Sequence, residues 1–139
     1  MKNIPLLLLL STLMLFACKD DTPNVNCYSC LKIEKLSREQ AQRYLQSLYT
    51  EIENLSTSVA CTNASMWKIV PIGAKACGGQ SGFIPYQPVA HGEQFLKKVD
   101  EYTKAQEAFN KKWNVVSDCM AIPKPTQIEC VDGKAKMIP

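Results

Sequence analysis

Cysteines are the side chains of this chain with the widest range of chemistry, and seven of them occur among its 139 residues. Cys27 and Cys30 have the C-x-x-C spacing of thiol–disulfide redox sites, in which a helix N-terminus lowers the thiol pKa. Residues 30–36, however, alternate between apolar and charged side chains, which predicts a short half-buried strand. The pair is therefore interpreted as structural, with a thiol-redox role as the weaker alternative.

Another cysteine, Cys18, follows an apolar leader. Residues 1–3 carry the positive charge of Lys2, and residues 4–16 are mostly apolar. As a helix, residues 4–16 would span roughly 20 Å, whereas the hydrocarbon core of a bilayer is about 30 Å thick. This pattern predicts a signal peptide over residues 1–17. Leu15-Phe16-Ala17-Cys18 resembles a bacterial lipobox, which implies that Cys18 is acylated after cleavage.

Acylation of Cys18 would make the lipid bilayer a partner of this chain, because two or more acyl chains hold a protein stably on a membrane. Residues 18–26 are polar and predict a flexible lipidated tether. Residues 27–139 then form a single globular domain. Residues 18–21 resemble an export tag of bacterial lipoproteins, which implies the outer membrane and exposure at the cell surface.

Six cysteines remain once Cys18 is set aside, an even number in a chain predicted to enter an oxidising compartment. They are Cys27, Cys30, Cys61, Cys77, Cys119 and Cys130. We predict that they pair completely into disulfides, and the sequence leaves the pairing open. No metal site is predicted, because the C-x-x-C spacing has no second close pair of ligands.

No catalytic constellation or cofactor motif is recognisable. His91 is the only histidine, and beside Gly92 it is predicted to be a solvent-facing loop residue. Neither a nucleophile elbow nor a phosphate loop is present. The glycine-rich segment after Cys77 is predicted to form a turn and is the candidate binding loop. Its residues are Gly78, Gly79, Gln80, Ser81 and Gly82.

The charge pattern argues against a nucleic-acid partner. Sixteen basic residues face 13 acidic ones, for a net charge of +3. The lysines are interspersed with acids instead of forming a basic patch.

Two long amphipathic helices are predicted. Ser37 and Gln40 form a capping-box pattern, and the helix that follows should end near Ser56. Its apolar stripe consists of Ala41, Leu45, Leu48, Ile52 and Leu55. The second helix covers residues 93–114, after a break at residues 88–92, and Asn114 suits a left-handed C-terminal position. Its apolar face consists of Leu96, Val99, Tyr102, Ala105, Phe109 and Trp113.

Two antiparallel pairings are predicted between short β-prone segments. Residues 67–72 should pair with residues 83–86, and residues 127–131 should pair with residues 134–138 around Asp132-Gly133. The predicted fold class is α+β, with two amphipathic helices packed on a small antiparallel sheet and disulfides as staples.

An ordered series of short motifs resembles a family of small exported bacterial proteins, many of them lipoproteins. The series begins with Lys75-Ala76-Cys77-Gly78-Gly79 and continues with Ser117-Asp118-Cys119 and Cys130. Gln80 stands where the family usually has a proline. The resemblance implies export and a shared fold, and it implies no reaction.

These observations lead to three functional hypotheses. The first is an envelope-anchored lipoprotein that binds an unknown protein partner or has an accessory structural role and is not an enzyme. The second is an inhibitor or immunity-type lipoprotein that presents residues 78–82 or residues 123–125 to an envelope enzyme. The third is a thiol-redox protein that uses Cys27 and Cys30.

Overall fold

A computed structural model describes residues 27–139, so the predicted signal peptide, Cys18 and the tether lie outside the described residues. Its elements are α1 (Tyr28–Lys35), α2 (Arg38–Thr57), β1 (Lys68–Ile72), β2 (Gly82–Tyr86), α3 (Pro88–Lys112), β3 (Gln127–Val131) and β4 (Lys134–Ile138). The predicted α+β class is confirmed. Across residues 27–139, no helix has both the length and the apolar character needed to cross a membrane.

The strand predicted over residues 30–36 is wrong, because this segment belongs to helix α1. A strand would have placed Leu31 and Ile33 on the same buried face, but Leu31 is 52% exposed and Ile33 is fully buried. The buried residues are Ser29 and Ile33, which are one helical turn apart. An alternating stretch this short fits the spacing of a helix as well as that of a strand, and the burial of Ile33 without Leu31 decides for the helix.

Lys112 of α3 stabilises the C-terminus of α1. Its ammonium group donates to the backbone carbonyls of Ile33, Glu34 and Leu36 at 3.0, 2.8 and 2.8 Å. A cation at this end compensates both the unpaired carbonyls and the negative end of the helix dipole. This contact joins segments 76 to 79 positions apart in the chain and was not predicted.

Helix α2 forms as predicted from its cap and apolar stripe. The Ser37 hydroxyl accepts from the Gln40 amide at 3.3 Å, and the Gln40 side chain accepts from the Ser37 amide at 2.9 Å. The helix ends at Thr57, one residue after the predicted end. Four of the five stripe residues are buried, and Leu55 is half-buried.

Helix α3 begins at Pro88, before its predicted start. The predicted break appears as a kink at His91, whose φ of −141° and ψ of 26° are non-helical. After the kink, Phe95 is 1% exposed and Leu96 is 40% exposed. The buried residue at this end of the helix is therefore Phe95 and not the predicted Leu96. The ring of Phe95 stacks on Tyr86 of β2 at 4.8 Å between centroids, which holds the helix in this rotation. Asn114 has the predicted left-handed conformation, with φ of 46°.

Both predicted strand pairings are confirmed, but they form two separate hairpins instead of one sheet. In the first, β1 and β2 pair antiparallel with Val70 opposite Ile84. In the second, β3 and β4 have the predicted bounds and flank Asp132 and Gly133, with φ of 51° and 73°. Positive φ at both central residues matches the twist of a tight hairpin turn.

Helix α3 contributes residues to two apolar clusters. The first cluster joins it to α1 and α2 and contains Ile33, Ala41, Leu45, Leu48, Ala105 and Phe109. The second joins it to α2, β1 and β2 and contains Ile52, Ile72, Ile84, Tyr86, Phe95 and Val99. The half-buried Tyr102 packs against both clusters, so α3 links the helical part of the core to the first hairpin.

Two of the predicted disulfides are present, Cys27–Cys30 and Cys61–Cys130. The second ties the segment after α2 to β3 across 69 residues, and a loop of that length stabilises the folded chain by roughly 4 kcal/mol. Cys77 and Cys119, by contrast, are exposed free thiols, so the predicted complete pairing is not observed.

Candidate functional site

An open groove of about 690 Å³ runs between the loop that joins β1 to β2 and one side of α3. The loop contributes Gly73, Lys75 and the segment from Gly78 to Gln80. Helix α3 and the residues just after it contribute a mostly polar wall. This wall consists of Thr103, Glu107, Asn110, Lys111, Asn114 and Val115.

A polar row on α3 holds the loop in place. The Thr103 hydroxyl accepts from the Gly73 amide at 3.0 Å, and the Gln106 side chain accepts from the Ala74 amide at 2.8 Å. One turn further on, the Asn110 side chain donates to the Ala74 carbonyl at 2.9 Å. Residues three and four apart share one face of a helix, so these side chains form a continuous line beside the loop.

The loop also supports itself through its backbone. The Lys75 amide donates to the Gly79 carbonyl at 2.9 Å, and the Ser81 amide donates to the Ile72 carbonyl at 3.1 Å. Gly73 has φ of 70°, and a β-carbon at this position would collide with the side chains of Ser81 and Gln106. Glycine is therefore required where the loop leaves β1 and passes close to α3.

The predicted binding loop, residues 78–82, contributes to this groove in part. Gly78, Gly79 and Gln80 line it. Ser81 has an internal role, since its hydroxyl donates to the Ile72 carbonyl at 3.2 Å, and Gly82 is the first residue of β2. The polar row of α3 was not predicted. The sequence pattern that could have indicated it is three hydrogen-bonding side chains, at positions 103, 106 and 110, on one face of a predicted amphipathic helix.

A second set of contacts joins the loop to the segment that follows α3. The Lys75 ammonium donates to the Asp118 carboxylate at 2.9 Å and to the Met120 carbonyl at 2.6 Å. Beside it, the Cys77 sulfur lies 3.1 Å from the Ser117 hydroxyl. Interaction with the Cys119 thiol and then with Ser117 lowers the pKa of Cys77 below its ordinary value. The same thiol–thiol interaction raises the pKa of Cys119.

The Cys27–Cys30 pair lies at a helix N-terminus, which reverses the sequence-based argument against a redox role. Cys27 is the N-cap of α1, and its sulfur accepts from the Cys30 amide at 3.2 Å. The Cys30 sulfur instead lies 3.6 Å from the Lys104 carbonyl. Both cysteines are half-buried, and Cys27 borders an open cavity of about 250 Å³ beside α3.

A charged network lies beneath this pair. The buried Ser29 hydroxyl donates to the Glu101 carboxylate at 2.7 Å, and Tyr44 donates to it at 3.3 Å. The Lys98 ammonium lies 3.5 Å from Glu101 and 2.7 Å from Glu51. Burial by itself would raise the pKa of Glu101, but Ser29, Lys98 and Tyr44 together lower it below its ordinary value.

His91 lies at the kink of α3 and is exposed, so it is solvent-facing as predicted but is part of a helix and not of a loop. Between residues 27 and 139, no three His, Cys, Asp or Glu side chains are grouped closely enough to hold a metal ion.

No protein-family model, curated protein or solved structure matches this chain.

Replacing Gln106 by Ala should loosen the loop. The buried Ala74 amide would lose its acceptor, at a cost of about 1–3 kcal/mol. We expect a corresponding loss of stability in urea denaturation and faster hydrogen exchange at residues 73 and 74. Glu107→Ala, at the exposed neighbouring position, is the matched control and should leave both unchanged. Equal effects of the two variants would contradict the role of the polar row.

Glu101→Gln should destabilise the domain in a pH-dependent way. The pKa of Glu101 is lower in the folded chain than in the unfolded chain, so its stabilising effect is present above about pH 4.5 and is lost as the pH falls through the folded pKa. We expect a loss of about 1–2 kcal/mol at pH 7 that shrinks towards pH 3. Urea denaturation at both pH values measures it.

Asp100→Asn is the control for this measurement, because Asp100 makes an exposed ion pair with Lys104 at 2.8 Å. Such pairs contribute less than about 0.5 kcal/mol on a helix surface. A Glu101→Gln effect no larger than this, or one that does not change with pH, would contradict the assignment.

Proposed function

We propose that this protein is an envelope lipoprotein, anchored by acylated Cys18, that binds a protein partner through the groove beside the β1–β2 loop and carries out no reaction there. The observation that supports binding most directly is the combination of a fixed backbone and an exposed tip. Residues 73 and 74 are hydrogen-bonded to α3, whereas residues 76–79 are exposed.

A fixed loop favours binding because ordering a flexible loop on contact costs free energy. Immobilising each side chain at an interface costs about 0.5–1.5 kcal/mol, and a loop that is already ordered avoids most of the backbone part. Loops held on a rigid scaffold are also where binding residues are most often found. In this chain the scaffold is α3, which is itself buried on two sides.

The groove suits a polar partner with little net charge. Its exposed rim carries Glu107 and Lys111, of opposite sign, while the Lys75 ammonium is already paired with Asp118. A strongly charged ligand would therefore find neither a cationic nor an anionic surface. A hydrogen-bonding protein segment fits these groups better.

Affinity capture from cell envelopes tests the proposal with full-length, membrane-extracted protein. Ala76 is exposed and lines the groove, so Ala76→Arg should block the site without disturbing the core. We expect wild type to capture a partner and Ala76→Arg to lose at least about 90% of it. Ala60→Arg, the same change at an exposed position outside the groove, should capture as wild type does. Undiminished capture by Ala76→Arg would refute the groove as the interface.

The same experiment separates the inhibitor hypothesis from simple binding. If the captured partner is an envelope enzyme whose rate falls when wild-type protein is added, this chain acts as its inhibitor.

The proline segment, residues 123–125, is a separate candidate, because Lys124 and Pro125 line another groove with Trp67 and Ile128. Lys124→Glu should abolish capture if that surface is used.

The intact mass of the membrane-extracted chain tests acylation at Cys18 independently of any partner.

A thiol-redox function of Cys27 and Cys30 is the second candidate, because the N-cap position of Cys27 favours its thiolate. The amide of Cys30 points at the Cys27 sulfur, so Cys27 should be the attacking group and Cys30 the resolving one. Cys30→Ser should then trap a mixed disulfide with a substrate protein at Cys27. Recovery of Cys30→Ser from envelopes with no such adduct would count against this candidate.

A further inference from the structure

The thiols of Cys77 and Cys119 lie outside every role described so far. They belong to segments 42 positions apart in the chain, the β1–β2 loop and the stretch after α3, and both are exposed. The Ser117 hydroxyl lies between them, because it is 3.1 Å from the Cys77 sulfur and accepts from the Cys119 amide at 3.3 Å.

We propose that Cys77 and Cys119 form a thiol–disulfide exchange site, in which Cys77 attacks an external disulfide and Cys119 resolves the adduct to close a Cys77–Cys119 bridge. The proposal concerns the thiols themselves and does not depend on a partner in the groove.

The two segments are already held together without the bond. The Lys75 ammonium joins Asp118 and the Met120 carbonyl, and the Asp118 carboxylate also accepts from the Met120 amide at 3.2 Å. These contacts wrap the turn over residues 117–120 around the base of the loop. The cysteines therefore meet in the folded chain at no additional cost in loop closure.

The turn that carries Cys119 has an unusual backbone. The φ of Cys119 is 55°, in the left-handed region that a cysteine seldom adopts. Non-glycine residues in this region persist only where their surroundings hold them. The contacts of Ser117 and Lys75 hold this segment, and in it the Cys119 thiol interacts with the thiol of Cys77.

The order of the two steps follows from the environment of each sulfur. The Cys77 sulfur is stabilised as thiolate by the Cys119 and Ser117 side chains and by the nearby charge of Lys75. The Cys119 thiol keeps its proton because it interacts with the Cys77 sulfur, which raises the pKa of Cys119. Attack requires the thiolate, so Cys77 should react first.

The chemistry balances with an external disulfide as the oxidant. The Cys77 thiolate attacks one of its sulfurs, the Cys77–sulfur bond forms, and the other half leaves as a thiolate that takes up a proton. Cys119 then loses its proton to solvent and attacks the Cys77 sulfur, which expels the second half. Two protein thiols are oxidised, and one external disulfide is reduced to two thiols.

The Cys77–Cys119 bridge would restrict movement of the groove wall. Lys75, Ala76 and Gly78, on either side of Cys77, line the groove. Asn114 and Val115, which also line the groove, lead into the turn that carries Cys119. Oxidation would therefore fix two borders of the groove to one another. Reduction would leave them held by the contacts of Lys75 and by that between Cys77 and Ser117.

The test uses the full-length extracted protein and oxidised glutathione as the external disulfide, with peptide mass mapping to identify each product. After mild reduction under native conditions, wild type should form Cys77–Cys119 and little stable adduct. Cys119→Ser should accumulate glutathione on Cys77, because the resolving thiol is missing. In reduced wild type, limiting iodoacetamide should alkylate Cys77 roughly tenfold faster than Cys119, because both thiols are then present and only Cys77 is favoured as thiolate.

Two outcomes would overturn the proposal. One is wild-type protein in which Cys77 and Cys119 carry separate glutathione adducts and never pair. The other is equal alkylation rates of Cys77 and Cys119 in reduced wild type. Hydrogen exchange at residues 76–79 provides a second measurement: it should be slower in the oxidised than in the reduced wild type, with no such difference in Cys119→Ser. A failure of partner capture at the groove would leave these results unaffected.

Discussion

The burial of α3 on several sides is the constraint on which the structure depends. Its residues Ala105 and Phe109 pack against α1 and α2, whereas Phe95 and Val99 pack against the first hairpin. The remaining side carries the polar row of Thr103, Gln106 and Asn110 that hydrogen-bonds to the loop. One helix thus fixes the positions of two other helices, a hairpin and the groove, and any rotation of α3 would displace all of them together.

The parts of the fold that could be predicted are those with short-range causes. Ser37 and Gln40 cap α2 through contacts three residues apart, and Asp132 with Gly133 forms a turn whose conformation only a few residue types adopt. Neither depends on distant segments. Helix α1 was predicted wrongly because its stability comes from elsewhere: eight residues are too few for an isolated helix, and Lys112 and the burial of Ile33 support it.

The same distinction applies to the candidate site. Glycines at positions 78 and 79 identified the loop, since closely spaced glycines indicate a turn whatever surrounds it. The side chains that hold the loop could not be identified in the same way, because Thr103, Gln106 and Asn110 pair with backbone groups more than twenty-five residues away. A polar residue within an amphipathic helix normally faces solvent, and only the position of the loop explains why these three do not.

Helix α3 also connects the N-terminal end of the described domain to the groove. Cys27 is the N-cap of α1, and the Cys27–Cys30 bridge closes a loop too short to stabilise the fold by more than about 2 kcal/mol. Its main effect is local, because it holds the first turn of α1 in shape. Lys112 then ties the other end of α1 to the C-terminal turn of α3, close to Asn110 and Lys111 in the groove wall. The groove therefore has a defined orientation relative to Cys27, the first residue that the structure describes.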